Sequence, residues 1–216
     1  MKTEKTLLIC FALSNVSALI YEVTWGRELT YVFGTSVYAI STVLTAFMSG
    51  LALGSYIFGK YVDRTPSPLK LFAKLEIGIG IYGIMTLGIF KLLPYPYFTL
   101  YNLFHGSFLF HYVQFWLCFI VLLIPTTFIG ATFPVMNKLY ARELDGFGKK
   151  VGVVYSADTL GAAVGSFAAG FILIPFFGHN DATAIAVLIN IAVGACIYTL
   201  HQTDKKERGG SIDKAS

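Results

Sequence analysis

Gly50-Leu51-Ala52-Leu53-Gly54-Ser55-Tyr56-Ile57-Phe58-Gly59 returns 111 residues later as Gly161-Ala162-Ala163-Val164-Gly165-Ser166-Phe167-Ala168-Ala169-Gly170. Small residues four apart inside an apolar run give a helix face with almost no side chain, along which a second backbone can lie close. Such faces suit helices packed in lipid, and the whole composition points the same way. Of 216 residues 56% are hydrophobic and 13% charged, with a mean hydropathy of +0.68. A soluble domain has about a quarter of its residues charged. Lipid is the expected solvent, and no stretch is long or polar enough for a soluble catalytic domain.

A bilayer core takes roughly 20 apolar residues as helix, because each backbone donor and acceptor must be satisfied within the segment. Working outward from the repeat, six runs meet that length: about 7–32, 37–59, 71–93, 112–139, 151–177 and 182–200. Gly34-Thr35-Ser36 reads as the turn between the first two. The basic start at Lys2 and Lys5 also opens a signal peptide, but the run continues through Tyr21 to Trp25, as a spanning helix does. Residues 1–201 are therefore expected to form one transmembrane domain, followed by a polar tail over 202–216.

Fourteen of the sixteen Lys and Arg fall at the N-terminus, in 60–74, in 138–150 or in the tail, leaving Arg27 and Lys91 elsewhere. Basic residues near helix ends are retained on the cytoplasmic side, so both termini are expected inside. The net charge of +4 is this bias and not a nucleic-acid signal. Between 94 and 111 the chain carries seven Tyr or Phe, whose rings favour the headgroup layer, so this connection is expected to lie along the membrane surface.

The 111-residue offset pairs the second run with the fifth. Runs one to three and four to six would then be two three-helix units of opposite orientation. Gly50, Gly54, Gly161 and Gly165 are expected to pack these two helices on each other, with Gly170 on the same face and Gly83 more tolerant of substitution.

Gly59-Lys60-Tyr61-Val62-Asp63-Arg64, between the second and third runs, resembles the G-x-x-x-D-R loop of major facilitator transporters. That superfamily builds six-helix bundles from two inverted triplets. The resemblance implies an all-α membrane protein: a six-helix transmembrane bundle of two inverted three-helix repeats, half of a major-facilitator-like fold. It implies a loop role for Gly59, Asp63 and Arg64, although the chain continues Thr65-Pro66-Ser67-Pro68 where that family has another Gly and basic residues.

A second resemblance covers nearly the whole chain. It is carried by Ala18-Leu19-Ile20-Tyr21-Glu22-Val23-Thr24-Trp25-Gly26-Arg27, Phe33-Gly34-Thr35-Ser36-Val37-Tyr38-Ala39, Ala46 through Ser55, and Tyr155-Ser156-Ala157-Asp158-Thr159-Leu160-Gly161. These strings are similar to the membrane portion of fused facilitator-like/spermidine-synthase proteins. In that family the membrane helices precede a cytosolic aminopropyltransferase-like domain that binds decarboxylated S-adenosylmethionine and a diamine. This chain stops at Ser216, about fifteen residues past the last run, so that domain is expected to be absent. Gly78-Ile79-Gly80-Ile81-Tyr82-Gly83 satisfies G-x-G-x-x-G but lies inside the third run and follows no strand, so it reads as helix packing. Cys10, Cys118 and Cys196 sit in apolar runs without CxxC spacing, and the histidines at 105, 111, 179 and 201 make no i, i+4 pair. No metal and no cofactor is expected.

An ionisable residue within a span costs a few kcal/mol or more, so it faces the bundle interior and either pairs or acts. Glu22 reads either as a proton- or cation-binding carboxylate or as the ion-pair partner of Arg27. Asp158 reads as the partner of Arg64 or Lys60 across the cytoplasmic mouth, or as a cation site. Tyr21, Trp25 and Tyr155 would offer aromatic faces to such a cation. Lys70, Lys74 and Glu76 are expected at the cytoplasmic end of the third helix, explained by snorkelling and i, i+4 pairing. Asn15-Val16-Ser17 has the form of a glycosylation sequon but lies inside a span.

These readings lead to a non-catalytic membrane scaffold or accessory subunit, recruiting or coupling to a partner at the cytoplasmic face. The alternative is a small dimeric facilitator-like transporter or binding protein for polyamines or other cations. The chain itself is not expected to be an enzyme. The expected partners are the bilayer, a protein partner or second copy, and a separate aminopropyltransferase-like subunit, with no nucleic acid. The expected location is multi-pass, in the plasma membrane of a bacterium or archaeon.

Overall fold

The computed structural model describes residues 2–33, 37–104, 108–140 and 146–212. The turn expected at 34–36 and the histidine at 105 lie outside them, as do 141–145 and the last four residues of the tail. The described chain is helical: α1 (Lys2–Phe33), α2 (Val37–Asp63), α3 (Pro68–Leu92), α4 (Pro94–Phe104), α5 (Phe108–Tyr140), α6 (Phe147–Ala168), a π-turn (Ala169–Leu173) and α7 (Ile174–Ile212). Five segments are long and apolar enough to cross a membrane: Glu4–Tyr31, Val37–Asp63, Pro68–Thr99, Tyr112–Tyr140 and Phe147–Lys205. The last holds 59 residues and is broken at Gly178, whose φ of 84° and ψ of 170° end one helix and start another. The polar tail expected from 202 continues the helix as far as Ile212.

Local chemistry explains the helix ends and irregularities. Pro68 opens α3, where a missing N–H and a fixed φ suit the first turn. Gly146, at φ 65°, precedes α6. Inside α5, Pro125 and Pro134 cannot donate to the carbonyls four residues back, Val121 and Gly130. Both carbonyls find donors on neighbouring helices: the Tyr82 hydroxyl donates to Val121 at 2.8 Å, and the Ser55 hydroxyl to Gly130 at 2.9 Å. In a medium without water such partners are what make a proline tolerable in a spanning helix.

Three helix pairs dominate the packing: α2 with α5, α3 with α7, and α1 with α6. Two apolar clusters fill the bundle. One surrounds Tyr21, Trp25, Phe47 and Leu122, and the other Phe11, Phe72, Met136 and Ile197. Ile40, Ile84, Trp116, Leu160 and Leu188 point outward, an apolar exterior of the kind lipid covers.

The glycine faces pack closely, but not on each other as the sequence suggested. Gly50 and Gly54 of α2 lie against α5, where a Cβ would overlap Thr126 and the Thr127 carbonyl. Gly161 and Gly165 of α6 lie against α1, where a Cβ would overlap the Ala12 and Val16 carbonyls and crowd Asn15. The same 111-residue offset that relates the glycines also relates their partners, Asn15 to Thr126 and Val16 to Thr127. Two other expectations are corrected. Gly170 has no neighbouring atom within 4 Å of where a Cβ would stand, so it is no packing position. Gly83 is a tight one, its face filled by the Tyr21 ring.

Candidate functional site

Between the α1–α6 pair and the α2–α5 pair runs a groove of about 440 Å³. Helix α1 presents Asn15, Ala18, Leu19 and Glu22 to it, the i, i+3, i+4, i+7 spacing of a single helix face. Helix α6 adds Tyr155 and Asp158, α2 adds Phe47 and Ser55, and α5 adds Phe133. Asp158 interacts with the Asn15 side chain, whose amide also donates to the Phe11 carbonyl at 2.9 Å. A second cavity, of about 420 Å³, shares Ser55 and Phe133 with the groove and reaches Gly59, Asp63, Asn137 and Lys138. Ser55 and Phe133 thus border both, the second lying nearer the basic end of the bundle.

The residues singled out in the sequence separate into three places. Glu22, Tyr155 and Asp158 meet in the groove. Tyr21 and Trp25 lie elsewhere, stacked at 5.1 Å in the core and fully buried, with the Trp25 indole donating to Thr86 at 3.3 Å. Arg27 is exposed, its guanidinium 5.9 Å from the Tyr31 ring centre, and it makes no ion pair with Glu22. Five residues turn a helix by about 140°, so the two cannot share a face. Asp158 makes no ion pair with Lys60 or Arg64. Lys60 instead sits on Tyr56, 2.6 Å from its hydroxyl and 4.0 Å from the ring centre. In the facilitator-like loop, exposed Asp63 pairs with Lys138 of α5 at 3.1 Å, and Gly59 faces Pro134.

Three features stand differently from their reading in the sequence. Glu76, placed by sequence at a snorkelling helix end, is fully buried and lies on the core face of α3 with Ile79, Gly80, Gly83 and Thr86. Its two oxygens accept from Ser14 of α1 at 2.5 Å and Asn190 of α7 at 2.7 Å. At the other end of the bundle Glu28 pairs with His179, just past the Gly178 break, at 2.7 Å. Asn15, set aside as an idle sequon, is a wall of the groove. Its signal was the repeat itself, since it stands 111 residues before Thr126, the partner of Gly50.

Comparison with known proteins returns one recurring name. The chain is 22% identical over 202 residues to a polyamine aminopropyltransferase of Corynebacterium efficiens, covering 90% of this chain and 36% of that protein. It is 25% identical to a polyamine aminopropyltransferase of Leptospira interrogans, covering 93% and 37%. It is 23% identical to polyamine aminopropyltransferase 1 of Streptomyces coelicolor, covering 95% and 36%. The chain thus spans little more than a third of the length of the curated relatives it matches. No family model matches the chain, and no solved structure does. These names correct the reading of a non-catalytic scaffold, its transporter alternative, and the expectation that the chain belongs to no enzyme. The relatives found along nearly its whole length are named as enzymes of polyamine chemistry.

Proposed function

We propose that this chain works in polyamine synthesis as the membrane-spanning part of an aminopropyltransferase. The observation that carries the reading is the shape of the match: nine-tenths or more of the chain aligns with a third of proteins that share one enzymatic name. In this chain the aligned region is apolar and helical through its described residues, so what it contributes is a bundle in lipid. The resemblance to fused facilitator-like/spermidine-synthase proteins supplies the reaction: transfer of an aminopropyl group from decarboxylated S-adenosylmethionine to a diamine. The chain's partners are the bilayer, a second copy, or an aminopropyltransferase-like polypeptide with which it forms the catalytic unit. The test is to draw the chain from its native membranes by an affinity tag in mild detergent and supply putrescine and decarboxylated S-adenosylmethionine. Spermidine is expected to form in the purified material. Material that forms none, from membranes whose spermidine synthesis is unchanged when the gene is deleted, overturns the reading.

The finer fold belongs to the same proposal. The break at Gly178 divides the 59-residue segment into two crossings, giving six in residues 1–201. The offset shared by Gly50, Gly54, Gly161, Gly165 and their partners supports two inverted three-helix repeats, half of a facilitator-like bundle. An even number of crossings with basic residues at both ends puts the two termini in the cytoplasm. Reporter fusions after Ser216 and between 94 and 111 are expected on opposite sides of the membrane. Finding both on one side removes the six-crossing topology.

A further inference from the structure

The groove places two carboxylates on one wall with a defined separation. The Asp158 side chain reaches the Asn15 side chain, and Glu22 stands seven residues further along the face of α1 that carries Asn15. At 1.5 Å per residue the two are about 10 Å apart along the groove. The α2 and α5 walls contribute the rings of Phe47 and Phe133, and Tyr155 stands one turn before Asp158 on α6. Neither carboxylate has a cationic partner among the described residues. The cations nearest in sequence or suggested by it are engaged elsewhere, Arg27 over Tyr31, Lys60 on Tyr56 and Lys138 on Asp63. Acidic side chains at this depth without a counter-charge mark a place where a cation arrives from outside the chain.

The spacing selects the kind of cation. A single metal ion gathers its oxygen ligands within about 2.0–2.6 Å, which carboxylates about 10 Å apart on rigid helices do not achieve. A monoamine meets one carboxylate and leaves the other bare. A linear chain with an ammonium group at each end meets both, laying its methylenes on Phe47 and Phe133 and one ammonium beside the Tyr155 ring. We infer that this groove binds a linear di- or polyamine, one ammonium on Glu22 and the other on Asp158. The inference rests on the aminopropyl-transfer reading for the choice of amine, and it assigns that chemistry a site on the membrane part of the unit.

The experiment uses the full chain in detergent or nanodiscs, titrated with spermidine, putrescine and butylamine while its melting temperature is followed. Spermidine is expected to stabilise in a concentration-dependent way, putrescine less and butylamine least. Glu22→Gln and Asp158→Asn are each expected to weaken spermidine binding by about tenfold or more, the loss of one charge-assisted contact. Should either variant fail to fold, the unmodified chain still decides. Spermidine, and not butylamine, is expected to shield Glu22 and Asp158 from a hydrophobic carbodiimide, read by peptide mass. Equal stabilisation by butylamine and spermidine, unaltered binding in both variants, or carbodiimide labelling indifferent to spermidine each overturns the site. The enzyme reading is separable from it. Preparations that form spermidine but show no amine binding here remove the site and keep that reading, while amine binding without aminopropyl transfer does the reverse.

Discussion

Gly54→Ala and Gly165→Ala are each expected to lower the melting temperature of the detergent-solubilised chain by roughly 5 °C. The added methyl groups would overlap backbone, the Thr127 carbonyl in one case and the Val16 carbonyl in the other, and backbone cannot rotate away as a side-chain end can. The helices must separate instead. Overpacking of this kind costs about 1–3 kcal/mol, and about 1 kcal/mol moves the melting point of a chain this size by roughly 2–4 °C. The α2–α5 contact also carries the Ser55 bond to Gly130, which a wider spacing would break. Because the two glycines serve different helix pairs, the double variant is expected to show the sum of the single effects. Gly88→Ala and Gly170→Ala set the opposite sign, since nothing lies within 4 Å of either new methyl. At Gly88, inside α3, alanine is expected to be neutral or stabilising by up to about 1 kcal/mol. Equal loss at all four positions would mean that close backbone approach is not what the repeated glycines provide.

That the repeated glycines matter was legible in the sequence, and which helix each one meets was not. A face without side chains specifies a short interhelical distance but carries no complementary shape that names its partner. The choice between α5 and α6 as partner for α2 depends on the whole bundle. The helices themselves were legible because lipid requires long apolar runs, and such runs are visible one residue at a time. The groove was half legible. Glu22 and Asp158 stand out as charges in apolar surroundings, whereas Phe47 and Phe133 are ordinary apolar residues until four helices bring them together. Pairing Glu22 with Arg27 failed on helix geometry alone, since a separation of five residues points the two side chains apart. Tyr21 and Trp25 were grouped with Glu22 because they are near it in sequence, yet these two, four residues apart, stack on the core side of α1 while Glu22 lines the groove. Both belong to the core face that meets Gly83 and Thr86.

Glu76 was misread for a related reason, and its replacement is the second large effect expected. Only eight residues separate it from the start of α3, so counting from the helix end suggests a side chain that can reach water. The face decides otherwise, because Glu76 shares its stripe with Ile79, Gly80 and Gly83 and is wholly enclosed by α1 and α7. Glu76→Leu removes the acceptor for Ser14 and Asn190 together. Ser14 can turn its hydroxyl to a carbonyl of its own helix, but the Asn190 side chain, already holding one buried oxygen without a partner, would lose its remaining bond. A buried polar group left unsatisfied costs about 1–3 kcal/mol, so Glu76→Leu is expected to lower the melting temperature by several degrees. Glu76→Gln keeps both contacts, its carbonyl accepting from Asn190 and its amide donating to the Ser14 oxygen, and is expected to stay within about 1 kcal/mol of the parent. The combined change Glu76→Leu, Asn190→Leu, Ser14→Ala removes every group that Glu76 serves. It is expected to recover much of what Glu76→Leu alone loses, because replacing a whole buried polar set is far milder than breaking it. A Glu76→Leu chain as stable as its parent, or a triple variant no better than the single one, would show that these hydrogen bonds do not hold α1, α3 and α7 together.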